Sequence, residues 1–416
     1  MFKVRWLVAV LVLSLLMGLG TGVPAQEKSI KIAVIGPMTG GAAFYGDMIK
    51  GGAVMYMEEV NAAGGINAPG KPWDGRSLEP VICDDAGDPK EAAACAHKFV
   101  ADPDIVIVVG GYHSSNTFAK QPIYKAGKLA HITPGNTHYE IGWRSEFTFR
   151  NIFHDEFHIG QLADFLIIRL GVKSIGIIYD LVDPTTAHMV TVKRHFEAAG
   201  LDVVAVHGYP VGTMDFRPML LDIKAKAPDA ILAASYYAEA SVIAKQSRAL
   251  GMDQLITGGE ALTIDDYIKL AGEAAAEGSV GAAPFLIDPE VSPPEVLAWA
   301  KRFKERWEME PMWLAANTYD AVGLAVKTIS AVGPDRKAIR DYLAGMDTLE
   351  EAYVGVTGPN YFDQWGDSVK PNVFCLVKDG KWFLHPRGVG WTPPPLPRPA
   401  GVYDGVKFGA IEWPPR

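Results

Sequence analysis

The chain has 416 residues, of which 49% are hydrophobic and 21% charged; this is ordinary globular material, long enough for two domains with two sizeable cores. Its 39 basic and 48 acidic side chains give a net charge of -9, which argues against a nucleic acid or an anionic membrane surface as partner.

The first 25 residues read as an export leader. Lys3 and Arg5 precede an apolar run of 14 residues from Trp6 to Leu19, and Val23, Pro24 and Ala25 form a small-residue exit. Such a run is short of the roughly 20 residues that span a bilayer, so cleavage after Ala25 is expected. No cysteine stands at the cut to accept a lipid, and no later stretch is apolar enough to cross a membrane. The mature chain, with 37 bases against 48 acids, is therefore expected to be soluble in a periplasm.

From Ile30 the sequence IKIAVIG predicts a strand, and PMTGGAAFYGD a glycine-rich loop opening a helix over 46–61. Strands at 78–84, 105–110 and 130–133 follow, with helices at 89–101 and 117–126 between them. Runs such as KIAVIG and IVIVVGG are continuously apolar, as parallel strands covered by helices on both faces require. The first half is one doubly wound sheet. The pattern restarts at 174–179, with strands at 203–209, 230–234, 255–258 and 280–283, which is a second sheet of the same kind. Between them, 147–158 carries the chain from one lobe to the other. Helices follow at 294–308, 317–332 and 336–344, then the turn-rich YFDQWGD and a hairpin around 378–381. The fold class is α/β, two doubly wound parallel-sheet lobes. Residues 29–152 plus 284–354 are expected to build the first lobe, and 153–283 plus 355–385 the second. Residues 386–416 hold 8 of the 29 prolines, a composition that excludes helix and central strand and reads as a polyproline-like strap.

Three cysteines are present, Cys83, Cys95 and Cys375. Cys83 lies on a strand and Cys95 on the next helix, and free buried thiols are favoured over a bridge between them. No zinc-type spacing exists. His154 and His158 share a helix face at i, i+4 around Asp155 and Glu156, which reads as a solvated first turn rather than a metal site. Asp84, Asp85 and Asp88 read as a strand end and a helix cap, with Asp88 at the cap and Pro89 at the first helical position. The chain carries no GxSxG elbow, P-loop, HExxH, EF-hand loop or GxGxxG after the first strand, so neither catalysis nor a cofactor is expected.

Polar residues at the carboxyl ends of the strands remain, and this is the edge at which open α/β sheets bind ligands. They are Tyr45, Ser114, Ser115 and Thr137 in the first lobe and Tyr236, Tyr237 and Glu260 in the second. A zwitterion needs this mixture: hydroxyls and helix-start N–H groups for its carboxylate, and a carboxylate with a ring face for its ammonium. Ser114 and Thr137 also suit plain helix caps, and Glu260 a first-turn carboxylate.

The motifs KIAVIGPMTGGAAFYGD, NAAGGI, DDAGDPKEA, GGYHSS, ITPGNT and the strand-end GGE make the chain resemble the periplasmic leucine/isoleucine/valine-binding proteins, the type I solute receptors of ABC importers, over 29–385. The resemblance implies a type I fold with three crossovers between the lobes, a cleft that closes on its ligand, a membrane permease as partner, and a monomer. It matches Ser114 and Thr137, with the Gly135 backbone, to the ligand carboxylate. Tyr236 and Glu260 match the ammonium, and Tyr45 the side-chain pocket. Two departures stand out. The family's disulfide positions are Gly87 and His113 here, and its tyrosine after the first strand of the second lobe is replaced near Pro184. A branched-chain type of amino acid is the expected ligand. Tyr112, His113 and the missing tyrosine suggest an aromatic acid, amide or urea instead; such a ligand would leave Glu260 unpaired in the closed cleft, which argues for an amine. An exported hydrolase or a sensor ectodomain is the alternative of another class.

Overall fold

The computed structural model describes residues 29–388, except 182 and 211; the leader and the proline-rich segment from 389 lie outside it. Five parallel strands form the first sheet, in the order β2-β1-β3-β4-β5. They are β1 (Ile30–Gly36), β2 (Leu78–Asp84), β3 (Ile105–Gly110), β4 (Ala130–Thr133) and β5 (Thr148–Arg150). The helices of this half are α1 (Ala43–Ala62), α2 (Pro89–Ala101), α3 (Ser114–Ala126) and the short α4 (Ile141–Arg144). The second half contains β6 (Ser174–Asp180), β7 (Asp202–Tyr209), β8 (Ala230–Ala234), β9 (Leu255–Gly258) and β10 (Val280–Ala283). Its helices are α5 (Asp155–Asp164), which runs into a π-helical turn at Phe165–Leu170, α6 (Asp183–Ala198), α7 (Arg217–Lys226), α8 (Tyr237–Ala249), α9 (Asp265–Ala271) and α10 (Glu273–Ala276). Helices α11 (Pro294–Trp307), α12 (Trp313–Val332) and α13 (Arg336–Ala344) precede the small ribbon β11 (Tyr353–Gly355) and β12 (Gly358–Asn360). The hairpin β13 (Val373–Lys378) and β14 (Lys381–Leu384) then extends the second sheet, in the order β14-β13-β10-β9-β8-β6-β7. It lies antiparallel to β10 and so breaks the parallel pattern at that edge.

The continuous apolar runs are split by the period of two between two cores. Ile30, Ile32 and Val34 enter the core against α1 and α12, whereas Ala33 and Ile35 face the core under α2 and α3. In the second lobe Ile231 and Ala233 go one way and Ala230, Leu232 and Ala234 the other. Each fully buried Ile or Leu contributes roughly 1.5–3 kcal/mol relative to an exposed one, so a register slip of one residue is strongly disfavoured.

The chain passes between lobes after β5, after β10 and before β13. The first core extends to Phe362, and Phe374 is the next buried apolar residue in the second lobe's core. The return crossover therefore lies in the segment between Phe362 and Val373, later than the expected change at 355. Ahead of it, Asp320 holds the turn between β11 and β12 by accepting the N–H groups of Val356 and Thr357 at 2.9 and 2.8 Å.

Cys83 and Cys95 are bonded, with Cα atoms 6.0 Å apart, which corrects the expectation of free thiols. β2 is an edge strand, and the turn capped by Asp88 folds α2 directly over its end. The Asp88 carboxylate accepts from Lys90 N–H at 2.7 Å, with Pro89 at the first helical position, as the sequence indicated. Replacing both cysteines by serine is expected to lower the unfolding free energy by about 2–3 kcal/mol, the loop-closure range for so short a loop. Chemical denaturation with and without reductant measures this, and an unchanged midpoint would refute it.

Helices α1 and α12 approach closely at Gly52, where an added Cβ would lie 2.3 Å from the Ala315 carbonyl oxygen. Backbone cannot yield as a side-chain tip does, so Gly52→Ala should cost about 1–3 kcal/mol. Thermal unfolding provides the test, and an unshifted transition would rule the clash out.

Candidate ligand-binding site

Both sheets reverse strand order beside their first strand: β1 lies between β2 and β3, and β6 between β7 and β8. At such switch points the loops leave in opposite directions and open a crevice at the carboxyl edge. A cavity of about 220 Å³ lies there, lined by Ser114, Ser115, Gly135 and Thr137 from one lobe and Tyr236 and Glu260 from the other. Six of the eight sequence-selected residues thus meet in one space, and Tyr45 and Tyr237 do not line it.

The first-lobe wall depends on tight backbone. Gly110 and Gly111 leave β3 at φ 119° and 114°, a region that side chains disfavour, and a Cβ on Gly111 would lie 2.7 Å from Asn136 Oδ1. This turn delivers Ser114 and Ser115 to the start of α3, whose end has no side-chain cap; Ser114 is therefore not a plain cap, and the orphan N–H groups of the first turn remain for a ligand. Asn136 pins the neighbouring loop by donating to the Tyr112 carbonyl at 2.7 Å and accepting from Thr117 Oγ1 at 2.9 Å. Arg150 holds the same loop through the carbonyls of Asn136 and His138.

Tyr45 does not line the cavity. Its ring stacks on Tyr112, with centroids 3.9 Å apart and planes at 13°, and Tyr112 lines the cavity in its place. Burial pushes the Tyr45 hydroxyl up to about 12 and the Tyr112 hydroxyl well above the ordinary phenol range, so both rings stay neutral. The ring of His113 lies 3.1 Å from the point where a Gly87 Cβ would be. The two positions matched to a disulfide are therefore spatial neighbours, with an imidazole filling the gap.

The second-lobe wall is more charged than the sequence indicated. Glu260 stands in the turn after β9, ahead of α9, and is not a first-turn carboxylate of that helix. Its Oε2 lies 2.9 Å from Nε2 of His158, and its N–H 3.2 Å from the same nitrogen. His188 from α6 lies 3.3 Å from the Asp155 carboxylate. Gly259 permits this crowding, because a Cβ there would meet His158 Nε2 at 3.1 Å and His188 Cε1 at 3.2 Å. Burial pushes the Glu260 carboxyl up, but the His158 bond and the His158 and His188 charges hold it below the usual carboxylate range. Burial likewise works against Asp155, which its bond to His188 holds low.

The expected solvated turn at 154–158 is corrected: Asp155 is 2% exposed and His158 is fully buried. His154 does not join His158 but caps α5, its Nδ1 accepting the Phe157 N–H at 3.3 Å. Asp155, His188 and Glu260 bring one ligating atom each within 4.8 Å of one another; Asp155 faces His188, and Glu260 faces His158 from outside the trio. His188 and Trp313 also line the cavity, although no motif marked them. Trp313 borders a second interlobe cavity of about 540 Å³ as well, with Phe44, Phe285 and Trp382.

A family model described as periplasmic binding protein matches residues 29–377. The chain belongs to the periplasmic binding protein family. Within the family, it is 31% identical over 341 residues to a leucine-, isoleucine-, valine-, threonine- and alanine-binding protein of Pseudomonas aeruginosa, covering 82% of this chain and 87% of that one. A leucine-specific-binding protein of Salmonella typhimurium is 28% identical, covering 82% and 89%. Among solved structures, the branched-chain amino acid transporter substrate-binding protein of Streptococcus pneumoniae in complex with isoleucine superposes with a TM-score of 0.75 at 26% identity, covering 86% of this chain and 99% of that one. A solute-binding protein of Rhodopseudomonas palustris in complex with benzoate shares the fold, with a TM-score of 0.71 at 21% identity, covering 86% and 95%. The motif-based resemblance and the two-lobed α/β fold are thus borne out. Among the described residues no helix is long and apolar enough to cross a membrane.

Proposed function

We propose that this chain is the periplasmic solute receptor of an ABC importer, capturing a small branched-chain type amino acid without chemistry and delivering it to a membrane permease. The leader, removed after Ala25, would take it there as a soluble monomer. The observation that carries the reading is Glu260, a carboxylate from one lobe lining the same cavity as the helix start at Ser114 and Ser115 on the other. A zwitterion bridges two such poles. Its carboxylate docks on the first lobe with Ser114, Ser115, Thr137 and the Gly135 backbone; the second lobe then rotates about the crossovers, bringing Glu260 and Tyr236 to the ammonium. Closure is favoured only by the contacts the ligand adds. A volume of about 220 Å³, below the roughly 300–1,000 Å³ typical of drug-sized sites, suits one small solute.

A second reading is an acid lacking an amine. The sequence argument against it was an unpaired Glu260, but His158 stands 2.9 Å away, an internal counter-charge when protonated, and the wall carries the rings of Tyr112, Phe118, His138 and Trp313. Thermal-shift and calorimetric titration of the mature chain with leucine, isoleucine, valine and benzoate tests both readings. A ligand at 100 times its Kd adds about 2.7 kcal/mol; no shift with any of them would reject the function proposed.

A further inference from the structure

The imidazole of His158 is held so that only one nitrogen is open. The ring is fully buried and stacks on Phe153, centroids 4.0 Å apart and planes at 5°. Its Nδ1 lies 2.9 Å from Asn372 Oδ1. Asn372 in turn donates from Nδ2 to the His158 carbonyl at 2.8 Å and from its N–H to Gln161 Oε1 at 2.9 Å. Because Nδ2 already donates, Oδ1 is the acceptor and Nδ1 carries hydrogen. The remaining nitrogen, Nε2, faces Glu260, and two states follow. A neutral ring accepts the Glu260 N–H at 3.2 Å and leaves Oε2 without a donor. A protonated ring places its positive charge 2.9 Å from Oε2 and supplies the charge that an ammonium would bring.

We propose that a proton on Nε2 of His158 and the ammonium of a ligand are alternative partners of Glu260, which makes His158 the residue that sorts amine-bearing from amine-free acids. This rests on the reading of the cavity as a solute site. The balance is simple: an ammonium enters, the Nε2 proton leaves to solvent, and Glu260 keeps one positive neighbour. An amine-free acid binds with that proton retained.

Other titratable groups stand around the pair, among them His113 and His138, which line the same cavity from the first lobe. On the helix of His158, Asp155 is matched by His188 from α6, whose proton affinity burial lowers but the Asp155 bond and the Asp155, Glu260 and Asp180 charges raise. Tyr236 at the start of α8 and Tyr45 and Tyr112 from the first lobe are pushed up by burial and carry no charge. With Asp155 and His188 facing each other, Glu260 is the carboxylate that lines the cavity. A second positive neighbour at Glu260 is redundant in a desolvated site.

Calorimetry of the full mature chain in phosphate and in Tris, whose ionisation heats differ, reads proton release directly. Over the pH range in which release occurs, leucine should bind with release of up to about one proton and an affinity that rises with pH by up to about tenfold per unit. Benzoate affinity should fall as pH rises over the same range. His158→Gln, which keeps a side-chain amide facing Asn372 and Glu260, should flatten both slopes, whereas His188→Gln should leave leucine-linked release in place. Leucine binding to the unmodified chain without proton release overturns the proposal with no variant needed, as does release that survives His158→Gln. If only benzoate binds, a slope of the wrong sign overturns it. Binding of neither probe at any pH removes the solute reading itself.

Discussion

Replacing Arg150 by alanine is expected to cost about 3–5 kcal/mol of stability, the range for removing one partner of a buried ion pair. Arg150 is fully buried at the end of β5. Its Nε and Nη2 donate to Asp367 Oδ1 at 3.0 and 2.7 Å, and its Nη1 donates to the carbonyls of Asn136 and His138 at 3.2 and 2.7 Å. Its own N–H reaches the Gly366 carbonyl at 2.8 Å. One side chain thus ties the last strand of the first sheet to the return crossover and to the loop that carries Thr137. Alanine would leave the Asp367 carboxylate, 4% exposed, without this guanidinium. Hydrophobic replacement of both members is often close to neutral, so Arg150→Met with Asp367→Leu should recover much of the loss. Urea unfolding of the single and double variants measures both effects. A single-variant loss below about 1 kcal/mol, the value of an exposed pair, would show that the bridge is not a structural tie.

Glu260→Gln is expected to weaken leucine binding by at least tenfold, as 1.4 kcal/mol corresponds to one decade. A hydrogen bond to a charged group contributes about 1.5–3 kcal/mol, so the loss can exceed two decades. The amide keeps the shape and one acceptor but not the charge, and the fold should be retained because Glu260 belongs to no core cluster. Binding of benzoate, which offers no ammonium, should change far less. Unchanged leucine affinity by calorimetry would remove Glu260 from the ammonium site.

The sheets were legible because each parallel strand must be apolar on both faces, and IVIVVG or IKIAVIG has no other economical location. The cap at Asp88 was legible because it is local: a carboxylate and a proline next to each other in sequence are also next to each other in space. Glu260 was legible as a carboxylate placed where a strand ends in two glycines. By contrast, the Cys83–Cys95 bond depended on how α2 folds back over an edge strand, which no spacing reveals. Tyr45 was misplaced by one layer because Tyr112, 67 positions later, stacks between it and the cavity. His154 and His158 share a helix face in sequence, yet one caps the helix and the other turns into the second lobe toward Glu260 and Asn372.

Sequence alone was sufficient for what is repetitive or local: strand and helix order, two lobes, family membership, and the polar residues at strand ends. Period-two apolar patterning and turn chemistry act over a few residues, so they are written into neighbouring positions. Tertiary structure alone decided the electrostatic character of the cleft. The contacts that set it join Asp155, His158, His188, Glu260 and Asn372, which come from four separate stretches of chain, and coupling between charges depends on distances of a few ångströms. No periodicity encodes those distances; they arise only when α5, α6, the turn after β9 and the final crossover pack together.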